Sequence, residues 1–447
     1  MMQWLQLLSD KRFGDSSSRR PASTRLVRSD FERDYDRLVF SPAFRRLQNK
    51  TQVFPLPGNI FVHNRLTHSL EVSCLGRSLG NLVSECLAQR HPELGGHYLQ
   101  SAISSIVSAG CLAHDLGNPP FGHSGERAIR AYFTEGNGRQ WKDKVLEEGS
   151  RWEDFVYFEG NANTVRLLTH QFKGRRAGGF ALTYATLASI IKYPYSSLQA
   201  GKAGKFGFFM TEEATMQELA TTLGLKQLSS DPLSYVRHPL VYLVEAADDI
   251  CYQVMDIEDA YKLRLLSFAE AVELLEAFFS DSDLDEMKSV RQSIGDPNEQ
   301  VGYLRSKAIN LLVEETAAIF LDNEESLLAG TFVGSLIDHL PPRLHTAYQA
   351  CSATAWKKIY RAQAVVDMEL AGQRIFSELL DQLIGALFHP DHLYSRTLLS
   401  RVSSQYETDQ SSAYGKIQCA LDYISGMTDI YALDLYRRIT GMNLPAV

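Results

Sequence analysis

Residues 103–126 read ISSIVSAGCLAHDLGNPPFGHSGE, and this stretch decides the fold class. Apolar side chains at Ile103, Ile106, Val107, Cys111 and Leu112 recur at helical spacing, so the segment reads as a buried helix. Gly117-Asn118-Pro119-Pro120 stops it. His114 and Asp115 fall at its end, where an imidazole nitrogen and a carboxylate oxygen can hold one ion. A pair of this kind is common, and a C-terminal histidine beside a solvated aspartate accounts for it when it stands alone. Its neighbours along the chain carry the argument.

Upstream, His68 sits in a helical pattern with Val72, Leu75 and Leu79, inside the run His63 to Glu71. Downstream, Asp248 and Asp249 follow the apolar run Leu240 to Val244 and precede Ile250, Val254 and Ile257. Carboxylates in such a helix are costly unless paired or bound to an ion. Two imidazoles and two carboxylates form a mixed nitrogen and oxygen donor set. It suits a six-coordinate divalent ion with open positions better than a closed structural zinc. An open position lets the ion activate water near neutral pH.

Helical periodicity also runs over 68–89, 236–263, 303–321 and 365–387, while strand-like alternation is scarce. The chain reads as all-α. Its 447 residues, 45% of them hydrophobic, supply a large core and exclude a mostly disordered protein. A formal net charge of −8 argues against a general nucleic-acid coat. The six cysteines show no C-x-x-C spacing, so no disulfide framework is expected. The N-terminal Met1 to Leu8 is apolar but too brief for a leader, and no stretch reaches a membrane span. A cytoplasmic protein without membrane contact is expected. Residues 134–154, 196–207 and 279–300 read as surface loops, the second Gly- and Lys-rich and suited to covering an anion.

Seven blocks in order carry a resemblance: Phe44 to Phe54, His63 to Leu70, His114 to Glu126, Phe158 to Ala162, Lys192 to Pro194, Glu245 to Tyr252, and Ser425 to Asp429 with Tyr431 to Leu433. Together they resemble the deoxyguanosinetriphosphate triphosphohydrolase family of the HD-domain phosphohydrolases, over nearly the whole chain. The resemblance implies an HD-domain helical core with an additional C-terminal helical region. It divides the chain into an N-terminal arm and substrate-reading segment (1–59), the metal-dependent core (60–260) and the C-terminal helices (261–447).

It also implies roles for particular residues. His68, His114, Asp115 and one of Asp248 and Asp249 bind a divalent ion, whether Mg, Mn or another transition metal. Asp248 is the choice, because it follows Ala247 as the aspartate of an Ala-Asp step; helical geometry leaves the pair open. His123 serves the phosphoester and Glu126 orients it, an i, i+3 pair on one helix face. Such a dyad fits the chemistry, since the leaving 5′ oxygen needs a proton. Arg65 resembles the arginine that grips the α-phosphate, a role suited to a guanidinium fork. Lys192 and Tyr193 resemble a phosphate-contacting pair. Tyr252 falls by the phosphates, and Asp256 and Gln52 by the sugar.

The reaction so implied converts dGTP to deoxyguanosine and inorganic triphosphate. The rivals are a dNTP triphosphohydrolase of broader or different base preference, an HD phosphodiesterase acting on cyclic nucleotides or alarmones, and a nucleic-acid- or nucleotide-binding protein with a vestigial HD site. The intact His and Asp set argues against the last. A homo-oligomer, with a hexamer among the forms, and single-stranded DNA or a dNTP as effector complete the expectation. The arginines Arg19, Arg20, Arg25, Arg28, Arg33, Arg37, Arg45 and Arg46 suit either a salt-bridged helix or a phosphate or subunit contact. Two departures touch base choice rather than the metal: Asn163 stands where the family often has Gln, and Ile430 where many relatives carry Arg.

Overall fold

The structure, a computed structural model, describes residues 1–15, 28–52 and 63–442. Among the described residues it is mostly helical, with one antiparallel two-stranded sheet, Gln227–Ser230 with Leu233–Tyr235. The helices that position the site are α1 (Asp30–Val39), α2 (Arg65–Arg90), α3 (Gly96–Ala113) and α4 (Gly122–Thr134), followed by α5 (Gly160–Thr169) and α6 (Tyr184–Ile190). Next come α7 (Pro239–Lys262), α8 (Pro297–Asp322), α9 (Gln363–Phe388), α10 (Ala413–Ser425) and α11 (Asp429–Ile439). The all-α expectation holds.

The pairing of α2 with α3 is the most extensive in the fold. Small residues permit it: a Cβ on Gly80 would lie 2.6 Å from the Ser104 Cα, closer than two carbons approach. Asn64 caps α2, accepting from the Thr67 N–H while Thr67 accepts from the Asn64 N–H. Val72, Leu79, Val83 and Leu87 are buried on the same stripe, and α7 packs across both helices. Two apolar clusters result. One joins the N-terminal helices, α2, α3, α7 and α8; the other joins α4, α9, α10 and α11. The cleft that carries the site opens between the ends of α2, α3 and α4 and the body of α7.

The apolar N-terminal octet is core. Met2, Trp4, Leu7 and Leu8 are buried, and the Trp4 indole donates to Glu324 at 2.8 Å. The loop reading of three segments needs correction. Residues 134–154 hold helical turns at Asn137–Trp141, Lys142–Glu147 and Glu153–Val156, anchored by buried Trp141, Val145 and Phe155. Residues 196–207 hold two short 3-10 turns, and 279–300 hold the helix Asp281–Ser293, begun by a capping box from Ser280. The last carries Leu284, Met287 and Val290 as its apolar residues and buries none of them fully, which hid its period.

Among the N-terminal arginines, Arg19, Arg20 and Arg25 lie outside the described residues. Of the rest, Arg28 pairs with Asp36 and Arg33 with Asp30, within or beside α1. Arg37 donates to the carbonyls of Phe180 and Ala181. All six cysteines are free, and among the described residues no helix is long and apolar enough to cross a membrane.

Candidate metal and substrate site

The His-Asp pair lies where the helix stops. His114 follows the last residue of α3, and its Nδ1 donates to the Cys111 carbonyl at 2.6 Å, which leaves Nε2 free to bind an ion. His68, on the first turns of α2, sets its ring edge-on to His114 with centroids 5.4 Å apart. Asp248 on α7 reaches both, its Oδ1 lying 3.0 Å from His68 Nε2 and 3.4 Å from His114 Nε2. Ligand atoms of His68, His114 and Asp248 all fall within 4.8 Å of one another. Asp115 Oδ2 lies 3.4 Å from His114 Nε2 and is held at 2.5 Å by Arg65.

The electrostatics fit a cation. Burial alone would lower the His114 pKa, but Asp115 and Asp248 outweigh it and raise it well above the ordinary imidazole value. Burial likewise opposes ionisation of Asp248, yet His114 and His68 hold its carboxyl well below the usual range. Carboxylates converging on buried imidazoles ask for positive charge, which a divalent ion supplies with nitrogen and oxygen ligands.

Asp249 points elsewhere. Burial pushes its pKa up to about 7 against the attraction of Lys192, with Asp248 and Glu245 adding to the rise. The choice of Asp248 over Asp249 thus agrees with the geometry at the imidazoles.

Beside the donor set lies a cavity of about 220 Å³. Its wall includes Gln52, Arg65, His68, His114, Asp115, His123, Glu126, Lys192, Tyr193, Asp248 and Tyr252, so eleven of the twelve expected site residues meet in one space. The His123 Nδ1 donates to Glu126 at 2.9 Å. Glu126 is buried and its other oxygen accepts from the Gly160 N–H at 2.8 Å, so the carboxylate is fixed at both ends. Burial would raise its pKa, but His123 and the cations Lys205 and Arg130 bring it down to about 2. The His123 ring itself is 62% exposed and free to meet a ligand. A Cβ on Gly160 would stand 2.0 Å from the Asn118 side chain and 2.7 Å from Glu126, so only glycine lets α5 come this close.

Arg65 is 3% exposed and its Nε has no partner among the described residues. Lys192 pairs with Glu245 at 3.1 Å; burial would lower its pKa, but Glu245 and Asp249 raise it. Gln52 Oε1 is a buried acceptor without a donor among the described residues. Tyr252 stacks on Tyr360 with centroids 6.1 Å apart.

Asp256 is the residue the structure does not bring to the cavity wall. It lies one turn beyond Tyr252, buried, and accepts from the Tyr360 hydroxyl at 2.5 Å. The carboxylate expected by the sugar is here engaged by Tyr360, far away in sequence. Burial raises the Asp256 pKa to about 7, opposed by that hydrogen bond.

Sequence reasoning missed Lys205, Asn118 and Asn161 on the cavity wall. Lys205 pairs with buried Glu159, and the one signal for it was the lysine content of 196–207. The departure at Asn163 has a structural use, since its amide donates to the Gly117 carbonyl at 2.6 Å and braces the turn after Asp115. Ile430 is half exposed.

Residues 65–180 match the HD domain, and residues 339–438 match the phosphohydrolase-associated domain. A deoxyguanosinetriphosphate triphosphohydrolase-like protein of Pseudomonas aeruginosa is 38% identical over 458 aligned positions, covering 100% of both chains. One from Synechocystis is 39% identical, covering 99% of this chain and 100% of its own. The deoxyguanosinetriphosphate triphosphohydrolase of Yersinia enterocolitica is 30% identical, covering 92% and 93% respectively.

Proposed function

The chain belongs to the deoxyguanosinetriphosphate triphosphohydrolase family of HD-domain phosphohydrolases, and from that premise we propose that it hydrolyses dGTP to deoxyguanosine and inorganic triphosphate. One observation carries the reading. The converging donor atoms of His68, His114 and Asp248, with Asp115 beside them, share a single cavity with a carboxylate-held imidazole, and its wall also carries Arg65, Lys192 and Lys205.

A divalent ion on His68, His114, Asp115 and Asp248 supplies Lewis-acid activation of water when bound. The side chains do the rest. Arg65, Lys192 and Lys205 gather the triphosphate and offset charge that grows on the α-phosphoryl oxygens. Water adds to the α-phosphorus as the bond to the 5′ oxygen breaks. That oxygen leaves as a hydroxyl by taking a proton from His123, and the proton released by the water restores the imidazolium. Glu126, anchored by the Gly160 N–H, keeps the His123 ring aimed at the leaving oxygen. Gln52 Oε1, buried and lacking a donor among the described residues, accepts from the 3′-hydroxyl of the sugar.

The test is a screen of the four dNTPs and four NTPs with Mg and Mn, with products identified. The expected result is triphosphate and deoxyguanosine from dGTP in preference to the others. Pyrophosphate plus dGMP would overturn the reaction, and equal turnover of all dNTPs would overturn the base preference.

A further inference from the structure

The block Ser425 to Asp429 carries part of the sequence resemblance but contributes no side chain to the cavity. Asp429 is nonetheless 0% exposed, more deeply buried than its place in the first turn of α11 requires. Its carboxylate spans two distant segments. Oδ2 accepts from the Thr51 N–H at 2.8 Å and from the Thr51 hydroxyl at 2.5 Å. Oδ1 accepts from the Phe121 N–H at 2.9 Å. One buried anion thus binds the residue before Gln52 and the residue two before His123.

Phe121 is an unusual residue to hold. Its backbone is left-handed, φ 61° and ψ 15°, a conformation that disfavours a side chain, and it forms the N-cap of α4 without offering a capping oxygen. That turn sets the direction in which α4 leaves, and so where His123 and Glu126 point. The surroundings hold it from the C-terminal side. The Phe121 ring packs edge-on against Phe376 of α9, centroids 6.1 Å apart, while Asp429 takes its N–H. Lys50, fully buried, reinforces the same junction by donating to the Asn118 carbonyl at 2.5 Å and the Ser425 carbonyl at 2.8 Å.

We propose that Asp429 is a positioning residue for the His123–Glu126 dyad: the C-terminal helices fix the strained turn at Phe121, and with it the ring that delivers the proton. The inference rests on the reading of His123 as the proton donor to the 5′ oxygen. Asp429 touches neither substrate nor ion; it acts through Phe121.

The full chain is compared with its Asp429→Ala and Asp429→Glu variants, the second keeping the charge but lengthening the tether by one methylene. Two substrates are used with Mn: dGTP, whose leaving oxygen needs a proton, and bis(p-nitrophenyl) phosphate, whose leaving group does not. Loss of an aimed general acid should lower kcat for dGTP about tenfold or more while the activated ester stays within about twofold. In parallel, the His123 imidazole is followed by long-range proton–nitrogen NMR, assigned with His123→Gln. In its neutral form the wild-type ring should show one tautomer, with Nδ1 protonated toward Glu126, and both variants a loss of that single state while the His63 signal is unmoved. Should Asp429→Ala fail to fold, Asp429→Glu carries both measurements. Equal losses on the two substrates, or an unchanged His123 signal, would overturn the proposal. A wild type inert toward every dNTP would sink the reaction above, whereas the NMR comparison still decides the role of Asp429.

Discussion

The Asp248 carboxylate lies 3.0 Å from the His68 imidazole, joining the middle of α7 to the first turns of α2. Asp249, its neighbour on the same helix, faces Lys192 and has its carbonyl bound by the Tyr348 hydroxyl at 3.2 Å. One step along a helix turns a side chain by about 100°, so only one aspartate can face the imidazoles.

Asp248→Ala, His68→Ala and His114→Ala should therefore each lose tightly bound Mn and turnover, with helical circular dichroism unchanged. Asp249→Ala should keep the ion. Metal content by elemental analysis decides the matter, and loss of metal from Asp249→Ala alone would reverse the assignment.

His123→Ala should lower kcat for dGTP by about a hundredfold or more while leaving metal content intact, the size expected of a missing general acid. Glu126→Gln should have a smaller effect in the same direction, since the amide still reaches the Gly160 N–H but no longer supports an imidazolium. A rate within threefold of wild type for His123→Ala would remove His123 from the mechanism.

On the proposed reading the cavity wall near Tyr252 offers a 2′-hydroxyl no partner. Selectivity for dGTP over GTP of about a hundredfold in kcat/KM is expected, roughly 2.7 kcal/mol. Gln52→Ala should raise KM for dGTP more than for 2′,3′-dideoxy-GTP, which lacks the hydroxyl to be read. Tyr360→Phe frees the Asp256 carboxylate. If Asp256 reads the sugar once released, that variant lowers KM for dGTP but not for the dideoxy analogue; no difference between them would confine Asp256 to a structural role.

His63 sits between Asp259 at 2.8 Å and Glu71 at 3.0 Å, tying α7 to α2. Burial would lower its pKa, but the two carboxylates raise it to about 10. A raised pKa means the folded protein favours the charged ring. That stability is complete below the unfolded value near 6.5 and is lost as pH rises through about 10. His63→Gln should thus cost on the order of 2 kcal/mol at pH 6, after allowance for the half-buried Glu71, and close to nothing above about pH 10.5. Denaturant titrations at the two pH values check it; an equal cost at both would show that the ring is neutral.

Much of the architecture was legible because it is written in local period. The apolar spacing over 68–89 became Arg65–Arg90, that over 236–263 became Pro239–Lys262, and that over 365–387 became Gln363–Phe388. The polar helix Asp281–Ser293 escaped because no buried stripe marks it. The motifs also announced their own chemistry: His68, His114-Asp115 and His123 with Glu126 each stand on one helix or one turn, where spacing alone sets which side chains are neighbours.

What tertiary structure decided is the meeting of residues that no spacing relates. Tyr360 covers Asp256 across 104 residues, and Asp429 holds Phe121 across 308. Period fixes which face of a helix is apolar and says nothing of which distant polar group arrives there, because that partner is chosen by packing of the whole core and by the cost of leaving a buried charge or N–H alone. The sequence by itself therefore determined the helices, and its resemblance named the candidate ligands, while the contacts that hold Phe121 and Asp256 were decided only when distant segments closed over the core.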